Sequence, residues 1–415
     1  MKQLALYIHV PFCLKKCYYC DFLSFENVAR DVQARYFNAL RKEIAEATAS
    51  LSKSSSERYE VQSIYFGGGT PSFSDEREIR NTINHIQDHF KVRIDAEITL
   101  EVNPGTVTYD KLSAYQDMGV NRLSIGAQSM MNLDLQHLGR AHNVSQFYEA
   151  YRNARTAGFR NISVDIMMGL PGQTHAEYLN TLREVAACHP EHISSYSLTV
   201  EAGTPYYEIY GTGRMPLTDN AIGLSRLPLP DEAEERKMYE STNQYLVSAG
   251  FHRYEFSNFA KNDPLRPGRY ESRHNLVYWT RGDYIGAGLG ASSMVNNTRF
   301  SNLRDLDAYI KADGNLKTLR QDVTKLDINT QIEEFMFLGL RLTKGVSRNR
   351  FEDLFNVPMD DVYGGVIGAL CEQGFLKTED EYVSLTSRGI DVSNQVLSYF
   401  LFDREETGEE GGNPA

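Results

Sequence analysis

The stretch Cys13-Leu14-Lys15-Lys16-Cys17-Tyr18-Tyr19-Cys20 places three cysteines within eight residues, just after an apolar segment typical of a buried strand. Thiolates are soft ligands that suit iron–sulfur clusters or zinc. In a four-iron cluster, three cysteines leave one iron free to chelate the amino and carboxylate groups of a small molecule. The alternative is a zinc site completed by His9, although zinc motifs commonly use paired C-x2-4-C spacings.

Composition narrows the class of protein. The 415 residues exceed what one hydrophobic core usually serves, so at least two domains are expected. The net charge of −12 argues against nucleic-acid binding, and no apolar run is long enough to span a bilayer. Three of the five cysteines lie close together, and the other two, Cys188 and Cys371, are isolated. This arrangement is not that of a disulfide framework and is typical of a protein in a reducing cytoplasm.

Short β-rich segments alternate with helical signals through the first 200 residues. The strand candidates are Leu4 to His9, Val61 to Phe66, Glu97 to Glu101, Arg122 to Gly126, Ile162 to Met167 and His192 to Leu198. Between them, Phe37, Leu40 and Ile44 have helical spacing, and Thr174 with Glu177 forms a capping box. This alternation predicts an α/β fold, a partial (β/α)6 barrel over residues 1–200 with a parallel sheet.

The rest of the chain divides differently. Residues 201–323 are interpreted as a connecting region, in which Arg253 to Phe256 is a strand candidate. Residues 324–402 follow the order helix, helix, hairpin, helix, which predicts an α+β, winged-helix-like domain. Such modules often bind DNA, but the absence of a Lys/Arg stripe favours packing or partner binding. The acidic tail, residues 403–415, is expected to be disordered.

Polar or glycine-rich motifs follow the predicted strands. Gly67-Gly68-Gly69-Thr70-Pro71 follows the second, Glu101-Val102-Asn103-Pro104-Gly105 the third, Gly126-Ala127-Gln128-Ser129 the fourth, and Asp165 lies near the end of the fifth. Alone, Gln128 or Asp165 would more often be a structural residue, and Arg140 a surface cation. Because parallel strands end on one face of a barrel, these motifs together predict one pocket beside the cysteines.

The C-x3-C-x2-C motif after an opening strand, with Tyr19 beside the last cysteine, resembles the signature of radical-SAM proteins. Together the motifs resemble the oxygen-independent coproporphyrinogen III oxidase-like family over nearly the whole chain. The resemblance implies a [4Fe–4S] cluster on Cys13, Cys17 and Cys20 that binds S-adenosylmethionine. It also implies that S-adenosylmethionine contacts Tyr7, Tyr19, Gly68, Gly69, Thr70, Glu101, Gln128, Arg140 and Asp165. Arg140 can pair with the methionine carboxylate, and the acidic residues can bind its ammonium or the ribose hydroxyls.

Two departures separate this chain from the porphyrinogen-oxidising members. Asp21-Phe22 follows Cys20, where those members carry a glycine and a further cysteine, and only twelve residues precede Cys13, where they carry a longer N-terminal segment. Both features resemble the HemW-type heme-chaperone branch. His274-Asn275-Leu276-Val277-Tyr278-Trp279 also matches its H-N-x-x-Y-W motif. This resemblance implies heme contact at His274, since imidazole is a common axial ligand; a core hydrogen bond is the alternative.

Two functions follow as expectations from the resemblance. The first is a cytoplasmic heme chaperone that binds heme and passes it to an unidentified acceptor protein, with the cluster and S-adenosylmethionine regulating or stabilising it. The second is an oxygen-independent coproporphyrinogen III oxidase. In that enzyme an electron donor reduces the cluster, and cleavage of S-adenosylmethionine yields a 5′-deoxyadenosyl radical that attacks a porphyrinogen propionate.

Overall fold

The computed structural model describes residues 1–54, 58–211, 213–215 and 227–402, so the tail predicted for 403–415 lies outside the described residues. The strands are β1 Lys2–Val10, β2 Phe12–Cys13, β3 Phe25–Glu26, β4 Tyr59–Gly68, β5 Val92–Val102, β6 Arg122–Gln128, β7 Ile162–Met168, β8 His192–Ser197, β9 Phe251–Arg253, β10 Asn258–Lys261, β11 Tyr284–Ala287, β12 Ser292–Val295, β13 Thr298–Asn302, β14 Arg320–Lys325, β15 Val346–Ser347, β16 Leu376–Glu379 and β17 Tyr382–Leu385. The helices are α1 Arg30–Ser54, α2 Glu76–His89, α3 Tyr109–Asp117, α4 Asn132–His137, α5 Val144–Thr156, α6 His175–Ala187, α7 Pro205–Tyr210, α8 Glu232–Ser248, α9 Arg273–Trp279, α10 Leu306–Ala312, α11 Leu316–Leu319, α12 Ile328–Gly339, α13 Arg348–Phe355, α14 Met359–Glu372, α15 Ser387–Asp391 and α16 Ser393–Ser398. Short 3-10 helices follow β4 at Pro71–Phe73 and β5 at Pro104–Thr106.

The six predicted strands are confirmed as β1, β4, β5, β6, β7 and β8, and each pairs in parallel with the next. They form the centre of a twelve-stranded sheet in the order β14-β13-β12-β11-β1-β4-β5-β6-β7-β8-β10-β9. Within the described residues β1 and β8 are not neighbours, so the barrel is partial, as predicted. The carboxyl ends of the six strands therefore share one edge.

Helices cover the outer face of this sheet. Their apolar residues recur at helical spacing, so each helix has an apolar face that packs against the sheet. Phe37 and Leu40 on α1 are fully buried in the main core, and Ile44 is nearly so. The capping box predicted at Thr174 and Glu177 is present at the start of α6, where it satisfies backbone donors that have no partner within the helix.

One strand prediction in the second half of the chain was wrong. The expected strand at Arg253 to Phe256 is instead a turn between β9 and β10, where the Tyr254 amide donates to the Asn258 carbonyl. The strands lie on either side of it and pair with each other in antiparallel fashion, and β10 also pairs with β8. Tyr254 of this turn is buried, with its hydroxyl 2.9 Å from Nε2 of His192, and Phe256 is half-buried, so the turn has an apolar pattern like that of a strand.

The chain forms two compact units. The first contains residues 1–278 and 282–325, and the second contains 279–281 and the chain from 326 onward. Residues 282–323 were assigned to a connecting region, but they belong to the first unit because β11 to β14 extend the barrel sheet beyond β1. Every helix in the described parts of the chain is too short or too polar to span a membrane.

The second unit has its own small sheet in the order β15-β17-β16, with α12, α13 and α14 before the hairpin. The hairpin and the helices predicted on either side of it are present, but α13, between the two helices predicted before the hairpin, was not expected. The first predicted helix, expected from Glu333 to Leu342, begins earlier, at Ile328, because Asp327 caps it. The last one, expected from Ser387 to Phe402, is two short helices separated at Val392, whose backbone leaves the helical region.

A candidate cofactor site at the carboxyl ends of the parallel strands

A cavity of about 480 Å³ lies where the parallel strands end. It brings together most of the residues predicted for the cluster and for S-adenosylmethionine. These are Cys13, Cys17, Tyr19, Cys20, Gly68, Gly69, Thr70, Glu101, Gln128, Arg140 and Asp165. The predicted residues alone therefore bring three thiols, two carboxyl groups and a guanidinium into the cavity.

The cysteine loop is compact and largely buried. Cys13 and Cys17 are less than a tenth exposed, and the Cys20 amide donates to the Cys17 carbonyl at 3.3 Å. The Thr70 hydroxyl donates to Cys13 Sγ at 3.6 Å, and Arg140 Nη1 donates to Cys17 Sγ at 3.7 Å. Burial raises the pKa of Cys20 to about 12, with the charge of Cys17 adding to the effect. Burial also raises the pKa of Cys13, so a metal that supplies positive charge would favour the thiolate form of these two cysteines.

The donor set fits an iron–sulfur cluster better than a zinc ion. Among the described residues, no three His, Cys, Asp or Glu side chains converge closely enough to hold one metal ion. In a four-iron cluster each cysteine binds a different iron, so the sulfurs lie farther apart than around zinc. His9, the suggested fourth zinc ligand, has both ring nitrogens engaged, by the Tyr7 hydroxyl at 3.0 Å and the Leu23 carbonyl at 2.8 Å.

The glycines after β4 are required by close packing. Gly68 has a φ of +111°, and a Cβ there would lie 2.5 Å from the His9 ring. A Cβ on Gly69 would lie 3.0 Å from Cys13 Sγ. The Gly69 and Thr70 amides donate to the Val10 and Phe12 carbonyls at 2.9 and 2.8 Å, which fixes the glycine loop against the cysteine loop.

Glu101 and Asp165 supply the carboxyl groups of the cavity. Glu101 accepts hydrogen bonds from the Tyr65 hydroxyl at 2.9 Å and from the Gly68 amide at 3.2 Å, and burial raises its pKa to about 7. Asp165 accepts from the Ser124 hydroxyl at 2.8 Å, and burial raises its pKa as well. Carboxyl groups that are buried without a full charge partner are suited to accept hydrogen bonds from a bound ligand.

Arg140 and Gln128 close the opposite side of the cavity. Gln128 has a φ of +65°, an unusual conformation for a residue with a side chain, at an irregularity in the pairing of β6 with β7. Arg140 Nη2 donates to the Gly126 carbonyl at 2.8 Å, while its buried Nε has no acceptor among the described residues. A buried cationic donor without an acceptor fits the carboxylate of a bound methionine group.

Two predicted residues do not line the cavity. Tyr7 packs behind it, with its ring 6.3 Å from that of Tyr65. His274 is 1% exposed, and its ring stacks on Tyr65 at 5.0 Å. Its Nδ1 meets the Ser63 hydroxyl at 3.1 Å, its Nε2 meets the Tyr278 hydroxyl at 2.8 Å, and burial lowers its pKa to about 3.

The cavity also contains residues that the sequence reasoning missed. Tyr65, Arg122, Ser124, Ser194, Tyr196 and Asn275 line it. Polar side chains at every second position of otherwise apolar strands, as in Ser194 and Tyr196, mark an inward face and could have identified most of them. Asn275 carries no such signal, because α9 meets the barrel only in three dimensions.

Comparisons with known proteins identify the family of this chain. The model of the radical SAM superfamily matches residues 7–185, and that of the HemN C-terminal domain matches 326–392. Heme chaperone HemW of Bacillus subtilis (strain 168) is 34% identical over 398 residues, covering 96% of this chain and 99% of that protein. Heme chaperone HemW of Lactococcus lactis subsp. lactis (strain IL1403) is 33% identical over 402 residues, covering 97% and 98%.

A solved structure supports the fold. Coproporphyrinogen III oxidase (HemN) from Escherichia coli, described as a radical SAM enzyme, superposes with a TM-score of 0.78 at 22% identity, covering 96% of this chain and 90% of that one. At this identity the likeness concerns the fold alone. With a third of its residues shared with the HemW proteins over nearly their whole length, this chain belongs to the HemW-type heme-chaperone family of the radical-SAM superfamily.

Proposed function

We propose that this protein binds heme through His274 and transfers it to an acceptor protein. The observation that carries the proposal is the position of His274 on α9: its buried ring stacks on Tyr65 of the cavity wall, and its Nε2 is covered by the Tyr278 hydroxyl, so iron can bind there only after Tyr278 moves. Burial lowers the pKa of His274 to about 3, which favours the neutral ring. A neutral imidazole is the form that ligates heme iron. The relatives named heme chaperones support the same assignment.

The contacts of His274 define how heme would reach it. If Nδ1 donates its proton to the Ser63 hydroxyl, Nε2 keeps a lone pair that accepts from the Tyr278 hydroxyl. Heme iron would then bind Nε2 in place of the Tyr278 hydroxyl, while the hydrogen bond to Ser63 keeps the proton on Nδ1. The Tyr278 ring packs edge-on against Tyr284 at 4.6 Å, so it must turn away from both residues to release Nε2.

The cavity is the proposed site of a [4Fe–4S] cluster on Cys13, Cys17 and Cys20 with S-adenosylmethionine. When bound and reduced, this pair supplies one-electron chemistry. The chain's own part is to hold the cofactor. Arg140 would pair with its carboxylate, Glu101 and Asp165 would accept from its hydroxyl or ammonium groups, and Tyr19 would offer a flat face to the adenine. The predicted contacts of Gly68, Gly69, Thr70 and Gln128 belong to the same proposal, and so does that of Tyr7, from its position behind the cavity.

The partners follow from this function. They are heme, an acceptor protein in the cytoplasm, and an electron donor if S-adenosylmethionine is cleaved. Oxidative decarboxylation of coproporphyrinogen is the second candidate, because the cavity presents every class of group that S-adenosylmethionine needs.

The test compares both functions in one preparation. Protein reconstituted anaerobically with iron and sulfide is titrated with heme, and loss of the heme is followed after addition of apomyoglobin as the acceptor. The proposal predicts a Soret shift, weakened in His274→Ala, and transfer to apomyoglobin. A parallel sample receives coproporphyrinogen, S-adenosylmethionine and dithionite. Decarboxylated product without heme binding would overturn the proposal in favour of the oxidase.

A further inference from the structure

Helix α9 carries the H-N-x-x-Y-W segment, and its first two motif residues face different surroundings. His274 lies behind the cavity against Ser63 and Tyr65. Asn275, the next residue, lines the cavity together with the cysteines and Glu101. Its backbone amide donates to the Ser272 hydroxyl at 3.3 Å, and its half-buried side chain lines the cavity. A carboxamide in a cofactor cavity offers two donors and an acceptor to whatever binds there.

The same helix is tied to the strand that carries Glu101. On β5, the carboxylate of Glu97 accepts the backbone amides of Arg273 at 3.3 Å and His274 at 3.2 Å, at the first turn of α9. Four residues along β5, Glu101 accepts from Tyr65, whose ring stacks on His274. A displacement of α9 therefore moves the cavity-lining Asn275 and the buried His274 together.

We propose that Asn275 binds S-adenosylmethionine through its carboxamide and thereby makes cofactor binding and heme binding oppose each other. The second half of this inference rests on the proposed function. Heme can ligate His274 only if Tyr278 leaves Nε2 and the ring, which is 1% exposed, becomes accessible, and we expect the second change to require a shift of α9. A cofactor held by Asn275 and Glu101 stabilises the present position of α9, in which Nε2 is capped. Cofactor binding therefore favours heme release.

Thermodynamic linkage makes this proposal quantitative. If the cofactor lowers the affinity for heme by some factor, heme lowers the affinity for the cofactor by the same factor. The cofactor contact proposed on α9 is the single Asn275 carboxamide bond, so the coupling that it can carry is about fivefold. Loss of one neutral hydrogen bond in Asn275→Ala should weaken S-adenosylmethionine binding by about fivefold.

The experiment uses the full chain with its reconstituted cluster. Equilibrium dialysis gives the Kd for S-adenosylmethionine, and Soret titration gives the Kd for heme with and without saturating S-adenosylmethionine. Wild type, Asn275→Ala and Asn275→Gln are compared with Arg152→Ala, which changes an exposed residue of α5 outside the cavity. Circular dichroism and iron content confirm that each variant is folded and loaded.

The expected result is that S-adenosylmethionine weakens heme binding in wild type and in Arg152→Ala. In Asn275→Ala it should bind about fivefold more weakly, with the effect on heme largely lost. Unchanged S-adenosylmethionine affinity in both folded Asn275 variants would overturn the inference. A wild-type Kd for heme that is the same with and without S-adenosylmethionine would also overturn it. If the wild-type protein binds no heme, the proposed function is wrong. The dialysis measurement still shows whether Asn275 binds S-adenosylmethionine.

Discussion

Replacing Glu101 with glutamine tests the chemistry assigned to the cavity. Glutamine keeps the size of the side chain and an oxygen that can accept from Tyr65 and Gly68, but it cannot carry charge. Hydrogen bonds to a charged group contribute about 1.5–3 kcal/mol, so Glu101→Gln should weaken S-adenosylmethionine binding by about 10- to 150-fold at pH 8.

The pKa of Glu101 gives this prediction a pH dependence. Burial raises that pKa to about 7, so the carboxyl is ionised above pH 7 and protonated below it. Because only the ionised form makes charge-assisted bonds, the wild-type advantage over Glu101→Gln should fall about tenfold from pH 8 to pH 6. Groups that titrate on S-adenosylmethionine affect both proteins and cancel in the ratio of their Kd values.

Equilibrium dialysis of both proteins at pH 6, 7 and 8, with matched iron content, measures the ratio. A ratio that stays constant across this range would refute the assignment of Glu101 as an ionised cofactor ligand. Equal affinities at pH 8 would also refute it.

Four further predictions concern individual residues. Tyr278→Phe should strengthen heme binding about fivefold by Soret titration, because it frees Nε2 of His274; unchanged or weaker binding would contradict the tautomer assigned to the ring. Arg140→Ala, measured by dialysis, should weaken S-adenosylmethionine binding at least tenfold, since the carboxylate loses a charge-assisted partner. Gly68→Ala should lower cluster content measured as iron and sulfide, because its Cβ would overlap the His9 ring. Finally, burial raises the pKa of Glu43 to about 7, above its unfolded value, so its ionisation destabilises the fold as pH rises; from pH 5 to pH 8, Glu43→Gln should gain about 3 kcal/mol in urea unfolding relative to wild type.

The sequence predicted the barrel well because its signals are local. The six parallel strands follow from short apolar segments, and their order follows from the helices between them. The pocket was predictable for the same reason, since Gly68, Glu101 and Gln128 lie at the ends of their strands, although Asp165 lies in the middle of β7. The aromatic turn at Tyr254 misled the reasoning, because burial inside a turn produces the same apolar pattern as a strand.

The surroundings of His274 and Asn275 were beyond sequence reasoning. The motif indicated heme, but nothing in it shows that His274 stacks on Tyr65 or that Asn275 enters the cavity. Both facts depend on how α9 meets β5, through the carboxylate of Glu97, which lies more than 170 residues away in the chain. Contacts at such separation leave no periodic signal.

The central claim is that the three cysteines hold a cluster whose open iron binds S-adenosylmethionine. The most direct measurement is electron paramagnetic resonance of the anaerobically reconstituted, reduced protein before and after addition of S-adenosylmethionine, with iron and sulfide analysed in the same sample. The account predicts equimolar iron and sulfide and a reduced-cluster signal that changes when S-adenosylmethionine is added. Zinc without sulfide, or a cluster signal that S-adenosylmethionine leaves unchanged, would contradict it.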